Sequence, residues 1–271
     1  MTYILSLLLI IPFAGFLAVL AGGTTQKRAK WIALIFSVAD TILASALLLA
    51  FLVPWLDPFL GLRTPYVAPS GDQVPLYYVE RYPWVPPLGM SYILGVDGLA
   101  VPLIFLTPLL VTLSIVFSWD KDYRPRQFYA LLILMEFSVT GVFMALDLFL
   151  FAVFWEIVLI PMFFLIGIWG GPNRQYAAFK FFVYTHVGFL IMLLSIFYLY
   201  WNGSANLNAL VNNATGRTFD MTVFLVGATT GPEYLRSLPL AAQVPAFLAF
   251  FFGFGVKLPM VPFHTWLPDA H

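Results

Sequence analysis

The stretch that decides the fold is the closing one, GVKLPMVPFHTWLPDAH at residues 255–271, which follows an apolar run beginning near Leu240. The run is longer than the roughly 20 residues that one helix needs to cross about 30 Å of hydrocarbon. Three prolines interrupt the stretch. Proline lacks the N–H that a helix uses, and its ring crowds the preceding turn. The sequence therefore predicts a discontinuous membrane helix that breaks just after Lys257.

The composition of the chain agrees with a membrane location. Of its 271 residues, 61% are hydrophobic and only 10% are charged, whereas soluble domains average about 45–50% and about 25%. The net charge is zero and there is no cysteine. The neutral balance argues against nucleic acid as a partner, and the lack of thiols excludes disulfides and thiolate-held iron–sulfur clusters.

Six segments are long and apolar enough to span a bilayer as helices, and a seventh begins near Leu240. The six are Tyr3–Ala21, Trp31–Val53, Leu99–Trp119, Phe128–Leu146, Leu148–Trp169 and Ala178–Trp201. The fold class predicted is an all-α polytopic membrane protein, with residues 1–271 forming a single transmembrane domain of about six full helices and the first part of a broken seventh. Two long outer connections, about Pro54–Gly98 and Asn202–Pro239, are interpreted as ordered caps.

The distribution of basic residues predicts the orientation. Eight Lys and Arg residues crowd the short alternate connections: Lys27, Arg28, Lys30, Lys121, Arg124, Arg126, Arg174 and Lys180. The longer connections carry four: Arg63, Arg81, Arg217 and Arg236. Short loops rich in Lys and Arg remain on the cytoplasmic side. We therefore expect an N-terminus outside, in a bacterial inner membrane.

Ionisable residues inside the predicted spans are candidate functional groups, because each costs about 2.5–3.5 kcal/mol at mid-bilayer. Glu156 follows Asp147 by nine residues, or about 13 Å of helix, which places it near the midplane. Glu136 has a similar depth but more polar neighbours, Ser138 and Thr140. The alternative for both glutamates is a structural ion pair with another helix.

Three further ionisable residues extend the candidate path. Lys257 precedes the predicted break, and a break inside a membrane is tolerated only where it is buried in protein or lines a wet cavity. Desolvation disfavours the charged form of a lysine, so Lys257 is suited to losing and regaining a proton. His186 is either a packing residue or a relay, since imidazole titrates near physiological pH. Lys180 lies about a turn inside its helix, where snorkelling to the interface is the simpler interpretation.

Four stretches of the chain resemble the large antiporter-like subunits of respiratory complex I, and most closely the M-type (NuoM-type, chain 4) subunit. They are GVDGLAVPL (Gly95–Leu103), ALDLFLFAVFWEIVLIPMFFLIGIWGG (Ala145–Gly171), YAAFKFFVYT (Tyr176–Thr185) and VKLPMVPFHTWLPDAH (Val256–His271). The resemblance implies the first half of an inverted-repeat fold, an antiporter-like helix bundle whose seventh helix is discontinuous.

The resemblance also implies roles for particular residues. The glutamate and lysine that form the family's central proton-transfer pair match Glu156 and Lys257, and Lys180 falls on a family pattern. Glu136 and His186 match no motif position. His264, a further possible relay residue with Lys180, His186 and Glu136, lies in the broken-helix segment, whose implied role is structural and hydrating. The family implies no cofactor in this chain, so NADH, FMN, iron–sulfur clusters and quinone are expected in partner subunits, beside neighbouring antiporter-like subunits.

Three functions remain open at this point. The first is a proton-translocating subunit of NADH–quinone oxidoreductase, with the redox chemistry elsewhere in the complex. The second is a subunit of a multi-subunit cation/proton antiporter, which has the same fold and the same midplane chemistry. The third is a scaffold whose ionisable residues form static pairs. Family members have about twice as many helices, so we expect this chain to be a fragment or the product of a split gene.

Overall fold

A computed structural model describes residues 3–53, 66–67, 73–202, 217–222 and 240–270. Seven helices in these ranges are long and apolar enough to cross a membrane. The helices are α1 Ile4–Gly22, α2 Gln26–Leu52, α3 Ala100–Phe117, α4 Pro125–Met144, α5 Leu148–Ile157, α6 Leu159–Trp169, α7 Arg174–Asn202, α8 Leu240–Lys257 and α9 Leu267–Ala270. Together α5 and α6 make one span. The prediction of an all-α membrane fold with a broken seventh span is confirmed.

Three of the predicted spans begin at least three residues before their apolar runs. Helix α4 begins at Pro125 rather than Phe128, and α2 and α7 show larger shifts. Helix α2 begins at Gln26 rather than Trp31, because the side chain of Thr25 accepts a hydrogen bond from the backbone N–H of Arg28 and caps the helix. Helix α7 begins at Arg174 rather than Ala178. Charged and polar residues therefore form the first turns of both helices, where a pattern based on hydropathy cannot detect them.

One of the two long connections contains β-structure. Strands β3, Tyr77–Val85, and β4, Met90–Val96, pair as a two-stranded sheet, and the two-residue strands β1, Tyr66–Val67, and β2, Gln73–Val74, form a second sheet. The first long connection therefore includes a hairpin, and its role as a cap stays a prediction. Most of the second predicted cap, Asn202–Pro239, lies outside the described residues.

The described chain divides into two compact units. The first contains α1 to α4, which pack against one another. Glu80 is an unexpected part of this unit: its carboxylate accepts from the backbone N–H groups of Leu5 at 2.9 Å and Ser6 at 3.1 Å, and also from the Ser6 hydroxyl. The first N–H groups of a helix have no partner within the helix, so Glu80 caps α1 from a distant part of the chain.

The second unit contains α5 to α9 and the hairpin segment Arg81–Ile93. Asp147 caps α5 by accepting from the N–H groups of Phe149 at 2.9 Å and Leu150 at 3.0 Å, and it also accepts from Ser91 N–H at 3.0 Å. Burial raises the pKa of Asp147 to about 6, although these N–H donors act in the opposite direction. The buried carboxyl therefore anchors the start of α5, the helix that carries Glu156.

The break after α8 has its own hydrogen bonds. The helix ends at Lys257, and the chain then turns through a short 3₁₀ segment, Phe263–Trp266, into α9. The indole N–H of buried Trp266 donates to the Val256 carbonyl at 2.9 Å. The N–H of Met260 donates to the Gly255 carbonyl at 2.9 Å. The last carbonyls of α8 thus find partners in the segment that follows, as a helix end within a membrane requires.

Candidate functional site

The site in the second unit is centred on Glu156 in the last turn of α5. Its Oε2 lies 3.0 Å from Nδ1 of His186 on α7. An ionised carboxylate only accepts hydrogen bonds, so Nδ1 carries the proton when Glu156 is charged. The imidazole stacks on Phe182, with ring centroids 5.4 Å apart and planes 7° from parallel. The other carboxylate oxygen, Oε1, is buried and has no hydrogen-bond partner among the described residues.

Lys257 lies at the end of α8, beside the turn that carries Glu156. Its ammonium donates to the Trp155 carbonyl at 3.1 Å and sits 4.1 Å from the centroid of the Trp155 ring. A cation over an indole face is stabilised by the ring quadrupole. Lys257 and Glu156 attract each other electrostatically but form no ion pair within 4.0 Å in the described chain. A positive and a negative group are thus neighbours without being locked together.

Local sequence explains why the glutamate lies beside an interruption. The span Leu148–Trp169 is divided at Val158, three residues before Pro161. Proline at that position removes the N–H that would bond to the Ile157 carbonyl, and its ring crowds the turn before it. Glu156 therefore occupies the final turn of a half-helix. The interruption between α5 and α6 lies next to Glu156, and the break after α8 lies next to Lys257.

Two glycines permit the close approach of α7 and α8. A Cβ atom on Gly253 would lie 2.8 Å from the Met192 Cβ and 3.0 Å from the Gly188 carbonyl oxygen. A Cβ atom on Gly188 would lie 2.9 Å from the Val256 Cβ. Gly188 is two residues after His186, and Gly253 is one turn before Lys257. The contact between these backbones therefore sets the position of both site residues.

We expect Gly253→Ala to disturb the site by overpacking. The added methyl group must push α8 away from Met192 on α7, which costs about 1–3 kcal/mol and moves Lys257. The expected result is a lower midpoint of thermal unfolding for the purified assembly. Gly171→Ala is the matched control, because no atom lies within 4 Å of the position of its Cβ. Equal midpoints for the two variants would contradict the packing argument.

The remaining candidates of the second unit lie in different surroundings. Lys180 forms an ion pair with Asp269 at 2.6 Å, and its ammonium also lies 5.6 Å from the centroid of the Tyr176 ring. Lys180 therefore has a specific ion-pair partner in the closing segment, whether or not its side chain also reaches the membrane interface. His264 is exposed and, among the described residues, contributes to none of the contacts around Glu156. The sequence alone gave no reason to select Asp269 as a partner of Lys180, apart from its position next to Pro268.

Glu136 lies in the first unit, where its wholly buried carboxyl accepts from the Ser37 hydroxyl at 2.7 Å. Its other neighbour is the carboxyl of Asp40 on α2, which is also wholly buried. Asp40 is a site residue that sequence reasoning missed. The signal was present, because Asp40 lies inside the predicted span Trp31–Val53 and meets the criterion that selected Glu156.

Comparisons with known proteins agree with this architecture. Residues 145–271 match a family model described as NADH:quinone oxidoreductase/Mrp antiporter, TM. F(420)H(2) dehydrogenase subunit M of Methanosarcina mazei is 40% identical over 197 residues, and an NAD(P)H-quinone oxidoreductase chain 4 of Synechococcus sp. is 45% identical over 196. Each alignment covers 72% of this chain, but only 37% and 34% of the respective relatives. The chain thus spans about a third of the curated relatives that it matches.

Comparison with solved structures supports the same fold over nearly the whole chain. A chain of respiratory complex I from Thermus thermophilus matches with a TM-score of 0.73 and 27% identity, over 98% of this chain and 46% of that chain. A chain of the Mrp complex from Dietzia sp. matches with a TM-score of 0.70 over 98% of this chain and 25% of that chain. At 21% identity the second likeness shows the fold alone.

Fold and comparisons together define the class: this is an integral, multi-pass membrane protein with the antiporter-like helical fold. Within that class, residues 145–271 match the transmembrane family model of NADH:quinone oxidoreductases and Mrp antiporters, and the chain is similar to chain 4 subunits of NAD(P)H-quinone oxidoreductases. The predicted resemblance to the M-type subunit of complex I is confirmed, and the chain corresponds to the N-terminal part of such subunits.

Proposed function

We propose that this chain translocates protons through a relay formed by Glu156 and Lys257, coupled to quinone reduction elsewhere in a respiratory NADH–quinone oxidoreductase. The observation that carries the proposal is the juxtaposition of a carboxylate, an imidazole and an ammonium group at two interrupted helices. Residues this costly to place in a membrane span are functional by default.

The arrangement supports proton transfer because each of the three groups can bind and release a proton. When Lys257 is charged, it stabilises the carboxylate of Glu156. When the lysine releases its proton, that stabilisation is lost, and Glu156 gains affinity for a proton. His186 Nδ1 hydrogen-bonds to the glutamate and provides an intermediate site. A lysine held by a carbonyl and an indole, rather than by a direct ion pair, can change its protonation state without breaking a salt bridge.

Cofactors and partners of the proposed complex lie outside this chain. The described residues contain no group of three His, Cys, Asp or Glu side chains that could hold a metal, and the chain has no cysteine for an iron–sulfur cluster. We therefore assign NADH, FMN, iron–sulfur clusters and quinone to partner subunits, and we expect other antiporter-like subunits beside this one. The proposed location is a bacterial inner membrane with the N-terminus outside.

The second candidate is a subunit of a multi-subunit cation/proton antiporter. It is favoured by the family model, whose description includes Mrp antiporters, and by the fold that the chain shares with the Dietzia Mrp complex. The proposed Glu156–Lys257 relay would be the same in both functions. They differ in the energy source, which is quinone reduction in the first and a cation gradient in the second.

Purification of the native assembly separates the two candidates. We expect the chain to co-elute with flavin- and iron–sulfur-containing subunits, and we expect NADH oxidation by quinone to acidify the interior of inverted membrane vesicles. An assembly without redox subunits, whose vesicles exchange protons for added sodium or potassium, would establish the antiporter function instead.

A further inference from the structure

The first unit contains a second buried acidic group, the carboxyls of Asp40 on α2 and Glu136 on α4. Both side chains are 0% exposed, and the two carboxyls are electrostatic neighbours. Two neighbouring carboxyls that are both buried repel each other when both are ionised, so this placement favours a bound proton on one of them.

The surroundings of the pair offer few other donors. Glu136 Oε2 accepts from the Ser37 hydroxyl at 2.7 Å. Both oxygens of Asp40 and Oε1 of Glu136 are buried without a hydrogen-bond partner in the described ranges. The hydroxyl of Thr140, one turn beyond Glu136 on the same helix face, is also buried and unpartnered. Unpartnered buried polar atoms are costly, so their concentration here indicates a ligand-binding role.

No cation within the packed helices balances the two carboxyls. Helices α1 and α3, both fully described, contain no ionisable residue. The remaining titratable groups of α2 and α4 are near the helix starts: Lys27, Arg28, Lys30, Arg126 and Tyr129. Lys30 is ten residues from Asp40, or about 15 Å along the helix, and it contacts Trp119. The Tyr129 hydroxyl donates to the Ser118 carbonyl. A proton is the charge-balancing ligand that this set of residues can bind.

A series of hydroxyl groups begins at Glu136 and ends at Thr41, which is next to Asp40 in the sequence. The Ser37 hydroxyl, which donates to Glu136, is 2.8 Å from the Thr112 hydroxyl on α3. The Thr112 hydroxyl is in turn 3.0 Å from the Thr41 hydroxyl. Each hydroxyl can accept one proton while donating another, so a continuous series of them can conduct a proton.

We propose that Asp40 and Glu136 form a second proton-binding site, which holds one proton between the two carboxyls and exchanges it through the hydroxyls of Ser37, Thr112 and Thr41. This site is separate from the Glu156 group, and the proposal does not rest on the proposed function. Binding of a proton here requires neither pumping nor a particular partner.

Infrared difference spectroscopy of the purified native assembly in lipid tests the site. We expect a carbonyl stretch from a protonated carboxyl that disappears in the double variant Asp40→Asn/Glu136→Gln, which replaces both groups with neutral isosteres. Glu80→Gln, which changes a buried carboxylate of the same unit that accepts N–H donors, should leave the band unchanged. A band that persists in the double variant would overturn the proposal. A band that appears only when sodium is removed would make the pair a cation site instead.

Chemical labelling of carboxyl groups tests the pair in the unmodified assembly. This test does not depend on whether a variant folds. A membrane-soluble carbodiimide adds to protonated carboxyl groups, so peptide mass spectrometry should detect an adduct on Asp40 or Glu136. The absence of an adduct on both residues, after full exposure to the reagent in lipid, would contradict a protonated pair.

Hydrogen–deuterium exchange of the same infrared band tests the hydroxyl chain. We expect Thr112→Val, which preserves shape but removes the hydroxyl, to slow exchange at least about tenfold. The control is Thr107→Val on the same helix, because the Thr107 hydroxyl donates only to the Leu103 carbonyl in the described contacts. Equal exchange rates in these two variants would remove Thr112 from the path.

Discussion

Glu156→Gln is expected to reduce proton translocation at least about a hundredfold, the lower range of what a positioned proton-transfer group contributes, while the complex still assembles. Glutamine has the size of glutamate, and its amide can still hydrogen-bond to His186 across the 3.0 Å separation. The change therefore removes the ionisable group with its charge and exchangeable proton, while the shape of the side chain is preserved. The measurement is acidification of inverted membrane vesicles during quinone reduction, normalised to the amount of assembled complex.

Two comparisons make this result specific. Glu156→Asp keeps a titratable carboxyl but shortens the side chain by one methylene, so we expect partial activity. Glu80→Gln changes a buried carboxylate that caps α1, and we expect proton translocation to remain near normal in the complex that assembles. Normal translocation by Glu156→Gln would leave only a structural role for Glu156 and would support the scaffold interpretation.

The spans and the break were predictable from sequence because they depend on local composition. About 20 apolar residues specify a membrane helix whatever surrounds them, and Pro259 and Pro262 disrupt a helix by their own chemistry. Helix starts such as Gln26 were less predictable, because they depend on a capping hydrogen bond. The β3–β4 hairpin was also not predicted, because the proline and tyrosines of β3 obscure the alternation of polar and apolar residues that is typical of a strand.

The meeting of Glu156 and Lys257 could not be derived from local sequence. The two residues are 101 positions apart. The packing of α7 on α8 at Gly188 and Gly253 brings Lys257 towards His186, the hydrogen-bond partner of Glu156. The family resemblance suggested this pair, but no motif suggested Asp40 or the Lys180–Asp269 ion pair. Each of these partners lies on a separate helix, and sequence periodicity identifies the face of a helix but not its neighbour.

The half-buried Glu156 and the buried Glu136 differ in how their charge is balanced. Glu156 has an imidazole and a lysine in its own unit, so it can lose its proton without leaving an isolated buried charge. Glu136 has a second carboxyl and hydroxyls, so it depends on a bound proton. The same residue type is therefore suited to transfer in one unit and to storage in the other, and the difference arises from the neighbours that the fold supplies.

The Lys257→Arg substitution separates a lysine that transfers protons from one that only supplies charge. Arginine keeps the positive charge, can donate to the Trp155 carbonyl and stacks well on an indole, so every static contact of Lys257 has a replacement. Guanidinium does not release its proton in proteins. If Lys257 belongs to the relay, vesicle acidification should fall at least about a hundredfold, as it should for Lys257→Met, which lacks the charge.

A purely electrostatic role gives a different pattern in the same assay. Lys257→Arg would then retain most of the proton translocation, whereas Lys257→Met would lose it. Because the two variants share the break after α8 and differ from the native chain at one side chain, assembly measured by co-purification serves as the common control. Activity retained by arginine and lost by methionine would remove Lys257 from the proton path and leave Glu156 and His186 as its members.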